Sequence, residues 1–474
     1  MHISTISKGN IDKKVANLIP KSIAIKHSMV PIKKNNDNLV VAMVDPYNFI
    51  AIEDIKLYTN SKIETIRVES NDIDELIDLC YQIEEKLSDA DSLPIAELID
   101  DIIQEAIDMK ASDIHIEPRK NHLEIRFRIH GDLISSRKLS MEHTSAIVSR
   151  IKVIGNMDIA EKRIAQDGRI ETTINNNEVD IRLSTMPTIF GEKVVLRVLN
   201  KTNFDYEITN LGLNNRNLKI FKEIITQPYG MVLLTGPTGC GKSTTMYTIL
   251  KEINTREKNI ITVEDPVEYQ VEGINQIQVN YKAGLDFASG LRSILRQDPD
   301  YIFIGEIRDQ ETSRLAVRAA ITGHLLFSTL HTNDSVSTIH RLLDMGIEPY
   351  LLSSSLIGII SQRLVKLLCP YCKEDYQASD NQKKIIEIDL SEKVYFYKAR
   401  GCNHCMNGYQ GRTAIYEVLK IDNNIRSLID DSSKINRIKK SALESGMITL
   451  FQSAKELLIA GKIPYEECLK IKTV

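Results

Sequence analysis

Residues 236–243 read GPTGCGKS. Glycines at this spacing ahead of a lysine and a hydroxyl make a cradle for phosphate groups. Gly236, Gly239 and Gly241 let backbone N–H groups converge on phosphate oxygens with no Cβ in the way, and a helix starting behind them adds its positive end. Lys242 supplies a mobile charge for β and γ phosphates, and the Ser243 hydroxyl is a ligand for Mg²⁺. The whole loop (Gly236, Pro237, Thr238, Gly239, Cys240, Gly241, Lys242, Ser243), followed by Thr244, is the candidate ATP site. Cys240 reads as a small side chain at an unconstrained loop position, with a redox-sensing thiol as the alternative.

Phosphoryl transfer to water also needs a carboxylate to orient the nucleophile and groups that hold the metal. Glu306, at the end of the run YIFIG, suits the first task. The preceding position, where such strands ordinarily carry an aspartate, is Gly305, so Glu264, Asp265 and Glu268 in VEDPVEY are the candidates for the metal contact. Read plainly, those acids are a solvated loop. His324 and His331 flank a short apolar strand, where a lone histidine is often structural. Of the seven cysteines, four form the pairs CPYC and CNHC at 369–372 and 402–405. Cys369, Cys372, Cys402 and Cys405 offer four thiolates, a set suited to a closed tetrahedral Zn²⁺ site with no open catalytic position.

These groups need elements to position them. Residues 231–235 form a buried strand running into the glycine loop, and further apolar runs at 260–263, 302–304 and 325–327 alternate with helical patterns. That alternation predicts a parallel sheet covered by helices. Upstream, 39–44 and 63–68 read as strands, with helical stretches to about 59 and over 71–87, as in a small α/β domain ending in SDADS at 88–92. Apolar residues at helical spacing predict an amphipathic helix over 95–110. Alternation at 123–129 and 179–183 then marks a strand-rich second domain, in which Arg182 points away from the buried face. The polar stretch 200–210 reads as a linker.

At 474 residues the chain calls for several domains, and 42% hydrophobic with 26% charged residues excludes long disorder. A net charge of −4, 6% aromatic residues and no tryptophan argue against a nucleic-acid channel, so no nucleic acid is expected. The N-terminal stretch lacks the apolar core of a signal peptide and no later run has the length of a spanning helix, which predicts a cytoplasmic protein.

The motif order, with VEDPVEY followed by RQDPDYIFIGEIRDQET and TGHLLFSTLHTND, resembles the secretion ATPase superfamily, in particular the type II secretion and type IV pilus assembly ATPases, from about residue 95 onward. The resemblance implies an α/β multidomain fold whose RecA-like P-loop core carries the Walker A loop, Asp box, Walker B strand and His box and works as a homohexamer. It implies a PAS-like second domain over 95–200 and an ATPase domain over 211–474 with a zinc-binding insertion at 366–412. It favours Glu264, Asp265 and Glu268 as metal-side acids, and makes His324 and His331 γ-phosphate sensors. It further implies that Arg182 and Arg197 reach the phosphates from the second domain, joined by Arg292 and Arg296. ASDIHIEP at 111–118 resembles the signature opening that domain, with His115 structural and Arg126 and Arg128 at a subunit interface. The tetracysteine insertion favours the secretion or pilus-assembly branch.

The stretch MVPIKKNNDNLVVAMVDPYNFIAIEDIK at 29–56 resembles the second part of the N-terminal domain of these ATPases, which implies that residues 1–90 dock onto an inner-membrane platform protein, hence peripheral membrane association. Some relatives bind cyclic di-GMP there through arginine-containing arms, but no arginine precedes Val30. The expectation is an ATP-, Mg²⁺- and Zn²⁺-dependent motor for pseudopilus or pilus assembly. A nucleic-acid or DNA-uptake motor with the same core is its rival, and a silent nucleotide-binding scaffold is opposed by the presence of both Lys242 and Glu306.

Overall fold

The computed structural model describes residues 13–16, 18–19, 23–24, 27–35, 38–59, 61–68, 73, 76, 94–174, 177–200, 207–431 and 435–473. Most of the helix expected over 71–87, the segment 88–92 and the centre of the 200–210 linker lie outside the described residues. The chain divides into two compact units, Met1–Asn200 and Lys201–Val474.

Among its described residues the first unit holds two sheets. β1 (Met29–Asn35) pairs antiparallel with β2 (Asn38–Met43), which pairs parallel with β3 (Lys62–Arg67) across the helix Phe49–Thr59. The second sheet comprises β4 (Asp113–Pro118), β5 (Leu123–Ile129), β6 (Asp132–Leu139), β7 (Gln166–Ile174), β8 (Asn177–Thr188) and β9 (Gly191–Asn200), in the antiparallel order β6-β5-β4-β9-β8-β7. Period-two alternation gives this sheet one apolar face, where Ile114, Ile116, Ile125, Phe127, Ile181, Leu183, Val194 and Leu196 are buried. The helix Ile95–Asp108 buries Leu98, Ile99, Ile102, Ile103 and Ala106, the stripe its sequence predicted.

The second unit is built on seven strands: β10 (Gly230–Thr235), β11 (Ile260–Glu264), β12 (Asn275–Gln278), β13 (Tyr301–Ile304), β14 (Leu325–Leu330), β15 (Leu356–Leu368) and β18 (Tyr409–Lys420). Their order is β12-β11-β13-β14-β10-β15-β18, parallel except at the β15–β18 edge. The four expected strands are present and parallel, and the helix-covered arrangement follows. Helices Asn215–Ile225 and Lys242–Ile253 pack one face through Phe221, Ile224, Met246 and Leu250. Phe287–Ile294, Gln310–Ile321 and Ser335–Asp344 pack the other through Leu291, Val317 and Ile339. Between β15 and β18 lies a small subdomain with the hairpin β16 (Glu374–Gln377) and β17 (Tyr395–Lys398), packed on the C-terminal helices. Among the described residues no helix is long and apolar enough to cross a membrane.

Candidate active site

β10 ends at Thr235, and the glycine loop turns from it into the helix Lys242–Ile253, the strand-turn-helix context a phosphate cradle requires. The loop's glycines take left-handed backbone angles, with φ of 148° at Gly236 and 92° at Gly241, which side-chain-bearing residues rarely adopt. A Cβ on Gly236 would stand 2.4 Å from the Gln362 carbonyl oxygen, so the loop also needs glycine to lie against β15. Lys242 Nζ donates to the carbonyls of Gly236 (2.8 Å) and Pro237 (3.0 Å), folding the ammonium over its own loop. Burial pulls this ammonium below its ordinary pKa, partly offset by the nearby Cys240 and Glu306. Cys240 is buried, and that burial pushes its thiol up, which opposes reactivity and favours the simple packing role. Ser243 is exposed on the first helical turn.

In a parallel sheet the C-terminal strand ends gather at one edge. Glu306 follows β13 there, half-buried, and takes Arg308 Nη2 at 2.5 Å and His331 Nε2 at 3.5 Å. Burial pushes the Glu306 carboxyl up, but Arg308 and His331 pull harder and hold it below its usual value. The backbone around it is tied down, since Thr329 Oγ1 donates to the Gly305 carbonyl (2.8 Å) and Ile307 N to the Thr329 carbonyl (3.0 Å). Next to His331, Thr332 N donates to Thr235 Oγ1 (3.1 Å), joining the end of β14 to the root of the glycine loop.

Glu264 is not a loop residue. It closes β11, is 3% exposed, and accepts from Thr262 Oγ1 (2.6 Å), Gln276 Nε2 (3.1 Å) and the Tyr247 hydroxyl. Asp265 is exposed and accepts from Tyr281 OH at 3.1 Å. Glu268 is half-buried, its N–H donating to Tyr247 OH at 3.1 Å. His324 stands apart from His331. It precedes β14, where its carbonyl accepts from Gly230 N (3.0 Å) at the start of β10. The six-residue strand therefore separates it from the loop end by ~20 Å. Its Nδ1 lies 3.0 Å from the Ala319 carbonyl. Arg296 Nη1 bonds the Arg292 carbonyl (2.8 Å) and Arg292 pairs with Glu311, so no described contact links either arginine to the loop.

In the first unit, cross-strand register puts Arg128, Asp113, Arg197, Arg182 and Arg169 in one row across five strands, on the polar face of the sheet. Arg197 Nε reaches Asp113 Oδ1 (3.1 Å), and Arg169 grips Asp180 with bonds of 2.8 and 2.7 Å. Like charges directly opposite each other, as at Arg182 and Arg197, are unfavourable by themselves, and the Asp113 carboxylate in the same row offsets this at Arg197. Arg126 instead bonds Glu117 Oε2 (2.7 Å), which Arg119 also holds, while Lys193 takes Glu117 Oε1 (2.8 Å). Sequence reasoning missed Arg308, Tyr247 and Gln362. The first lies two residues after Glu306, and the last stands as a lone amide in the apolar run LIGIISQRLV.

The four cysteines converge, with all Sγ atoms within 4.8 Å of one another. Sγ separations are 3.9 Å for Cys369–Cys402 and 3.6 Å for both Cys372–Cys405 and Cys402–Cys405. Four sulfurs at 2.3 Å around a tetrahedral ion stand ~3.8 Å apart, so the set fits a metal.

A family model described as Type II/IV secretion system protein matches residues 88–470, and one described as MshEN domain matches residues 5–87. The chain is 41% identical over 489 residues to the type IV pilus assembly ATPase PilB of Myxococcus xanthus, covering 97% of this chain and 86% of that protein. It is 46% identical over 403 residues to the type II secretion system protein E of Pseudomonas aeruginosa, covering 85% and 80%. A crystal structure of the pilus retraction motor PilT with bound ADP superposes with a TM-score of 0.54 at 29% identity, covering 79% of this chain and 96% of that one. The glycine loop with Glu306 beside it, and kinship running through nearly the whole sequence, make this chain an ATPase belonging to the Type II/IV secretion system protein family.

Proposed function

We propose that this chain is one subunit of a hexameric motor that hydrolyses ATP at the cytoplasmic face of the inner membrane to drive pseudopilus or type IV pilus assembly. The observation that carries this reading is the meeting of Lys242, Glu306 and His331 at one end of the parallel sheet, where Lys242 feels the Glu306 charge and His331 stands 3.5 Å from it. The loop N–H groups and Lys242 bind the β and γ phosphates, and Glu306 orients the attacking water. Ser243, with Asp265 and Glu268, would hold Mg²⁺, whose charge neutralises the phosphates. Glu264 then supports that group by fixing Tyr247, since its own oxygens are taken. His331 senses the γ phosphate through Glu306. Arg182 and Arg197, from a PAS-like domain over 95–200, and Arg292 and Arg296 supply positive charge to the triphosphate in the assembled ring.

Cys369, Cys372, Cys402 and Cys405 would hold Zn²⁺ as a structural site, which suits the assembly branch. Residues 1–90 would dock on an inner-membrane platform protein, and the MshEN match makes cyclic di-GMP a ligand to test there despite the missing arginines. The decisive experiment is Lys242→Ala, measured by steady-state hydrolysis and thermal melting. Turnover should be abolished with melting unchanged, because the lysine's bonds are all to its own loop, at the Gly236 and Pro237 carbonyls and the Cys240 sulfur. Appreciable residual turnover would count against the site.

A further inference from the structure

We infer that Gln362 is a positioning residue for the phosphate loop, its amide holding the Cys240 carbonyl behind the loop so that the Gly241 N–H is aimed at the bound phosphate. This inference rests on the proposal that the loop binds nucleotide.

Gln362 is 2% exposed and lies on β15, beside the P-loop strand, where Ser361 pairs with Thr235. Its Nε2 donates to the Cys240 carbonyl at 2.9 Å, and its Oε1 accepts from Thr245 Oγ1 at 2.8 Å. Both functions of one amide are thus spent on the phosphate loop and the first turn of its helix. Thr245 in turn lies 3.2 Å from the hydroxyl of Tyr416, which is the cross-strand partner of Gln362 on β18. Orientation is therefore imposed from two sides.

The Cys240–Gly241 peptide is trans, since Asp265–Pro266 alone is cis among the described residues. In a trans peptide the carbonyl and the following N–H point in opposite directions. Fixing the Cys240 oxygen on the β15 side therefore fixes the Gly241 N–H on the other side. A loop with three glycines in eight residues has much backbone freedom to lose on binding an anion, and a preset peptide plane lowers that cost. The fit is close: a Cβ on Gly241 would stand 2.8 Å from Gln362 Nε2. An apolar residue would satisfy packing in this strand equally well, whereas a buried amide costs free energy unless bonded. The amide is explained by the carbonyl it holds.

The test uses the full chain with Gln362→Leu, which removes both bonds, and Gln362→Glu, which keeps volume and the Thr245 bond but turns an acceptor toward the Cys240 carbonyl. Affinity for a fluorescent ADP analogue should fall about tenfold in both, as the loss of a buried hydrogen bond predicts, with the KM for ATP rising alike. Competition by inorganic pyrophosphate should weaken by the same factor while competition by adenosine stays unchanged. A merely structural glutamine would not separate those two competitors. ADP affinity within twofold of wild type, or equal losses for pyrophosphate and adenosine, overturns the inference. Should Gln362→Leu fail to fold, Gln362→Glu decides alone. Lys242→Ala is measured alongside. If it loses ADP while the Gln362 variants do not, only the positioning role falls; if it keeps ADP, the nucleotide site and this inference fall together.

Discussion

Burial alone would raise the pKa of Glu306, and the Arg308 and His331 contacts more than reverse that. A carboxylate so held can polarise water, and an amide of the same shape cannot. Glu306→Gln should keep ATP affinity and lower turnover by about 10²–10⁴-fold, measured as equilibrium binding beside steady-state hydrolysis. If binding fell as far as turnover, Glu306 would be a binding residue. The sign of its pH linkage follows from the depressed value. The stability it contributes is present above the ordinary value of 4.5 and is lost as pH falls through the lower folded value. The melting difference between wild type and Glu306→Gln should therefore be largest above pH 4.5 and close toward the acid end.

Among the elements, β11 and β13 explain why Gly305 replaces an acid. Gly305 N donates to the Val263 carbonyl (2.8 Å), and a Cβ would lie 3.3 Å from the Phe287 ring and 3.4 Å from Glu264 Cα. That position is tight for a side chain, and in the proposed site the carboxylates come instead from Asp265 and Glu268, which follow the neighbouring strand. Gly305→Asp should cost about 1–3 kcal/mol by overpacking, read as a lowered denaturant midpoint. The β15–β18 ribbon ends in the two cysteine pairs, with Leu368 opposite Tyr409 and Cys369 N bonded to the Gly408 carbonyl (2.8 Å). Metal analysis should find one zinc per chain, released in Cys369→Ser or Cys402→Ser, with a larger loss in melting temperature than in ADP affinity. A metal-free wild-type chain with full function would end that reading.

For the whole molecule, the arginine row belongs to one compact unit and the phosphate loop to the other. On the proposal that the row supplies positive charge to the triphosphate in the assembled ring, it favours the triphosphate over the diphosphate. Arg197→Ala should then lower turnover strongly while ADP affinity changes little. In a ring whose subunits close in alternation, Glu306→Gln chains mixed with wild type at known ratios should depress activity more than in proportion. A strictly linear decline would mean independent subunits and remove the mechanical part of the proposal.

The chain itself determined whatever depends on local pattern. GPTGCGKS between a strand and a helix, the period-two runs and the cysteine spacing each carry their physics within a few residues, so the strand-turn-helix of the glycine loop, the parallel strands and the four-cysteine cluster were legible. The place of Glu306 just past a strand was legible because a strand's end is a local event. Register and strand order are not local, and they decided the rest. They placed His324 at the far end of β14 from His331, turned Glu264 inward onto Tyr247, and ranged Arg169, Arg182 and Arg197 in one row. They also brought Gln362 against Cys240 from 122 residues away. Side chains so distant in sequence meet only when the sheet's order fixes which strands are neighbours and which ends coincide.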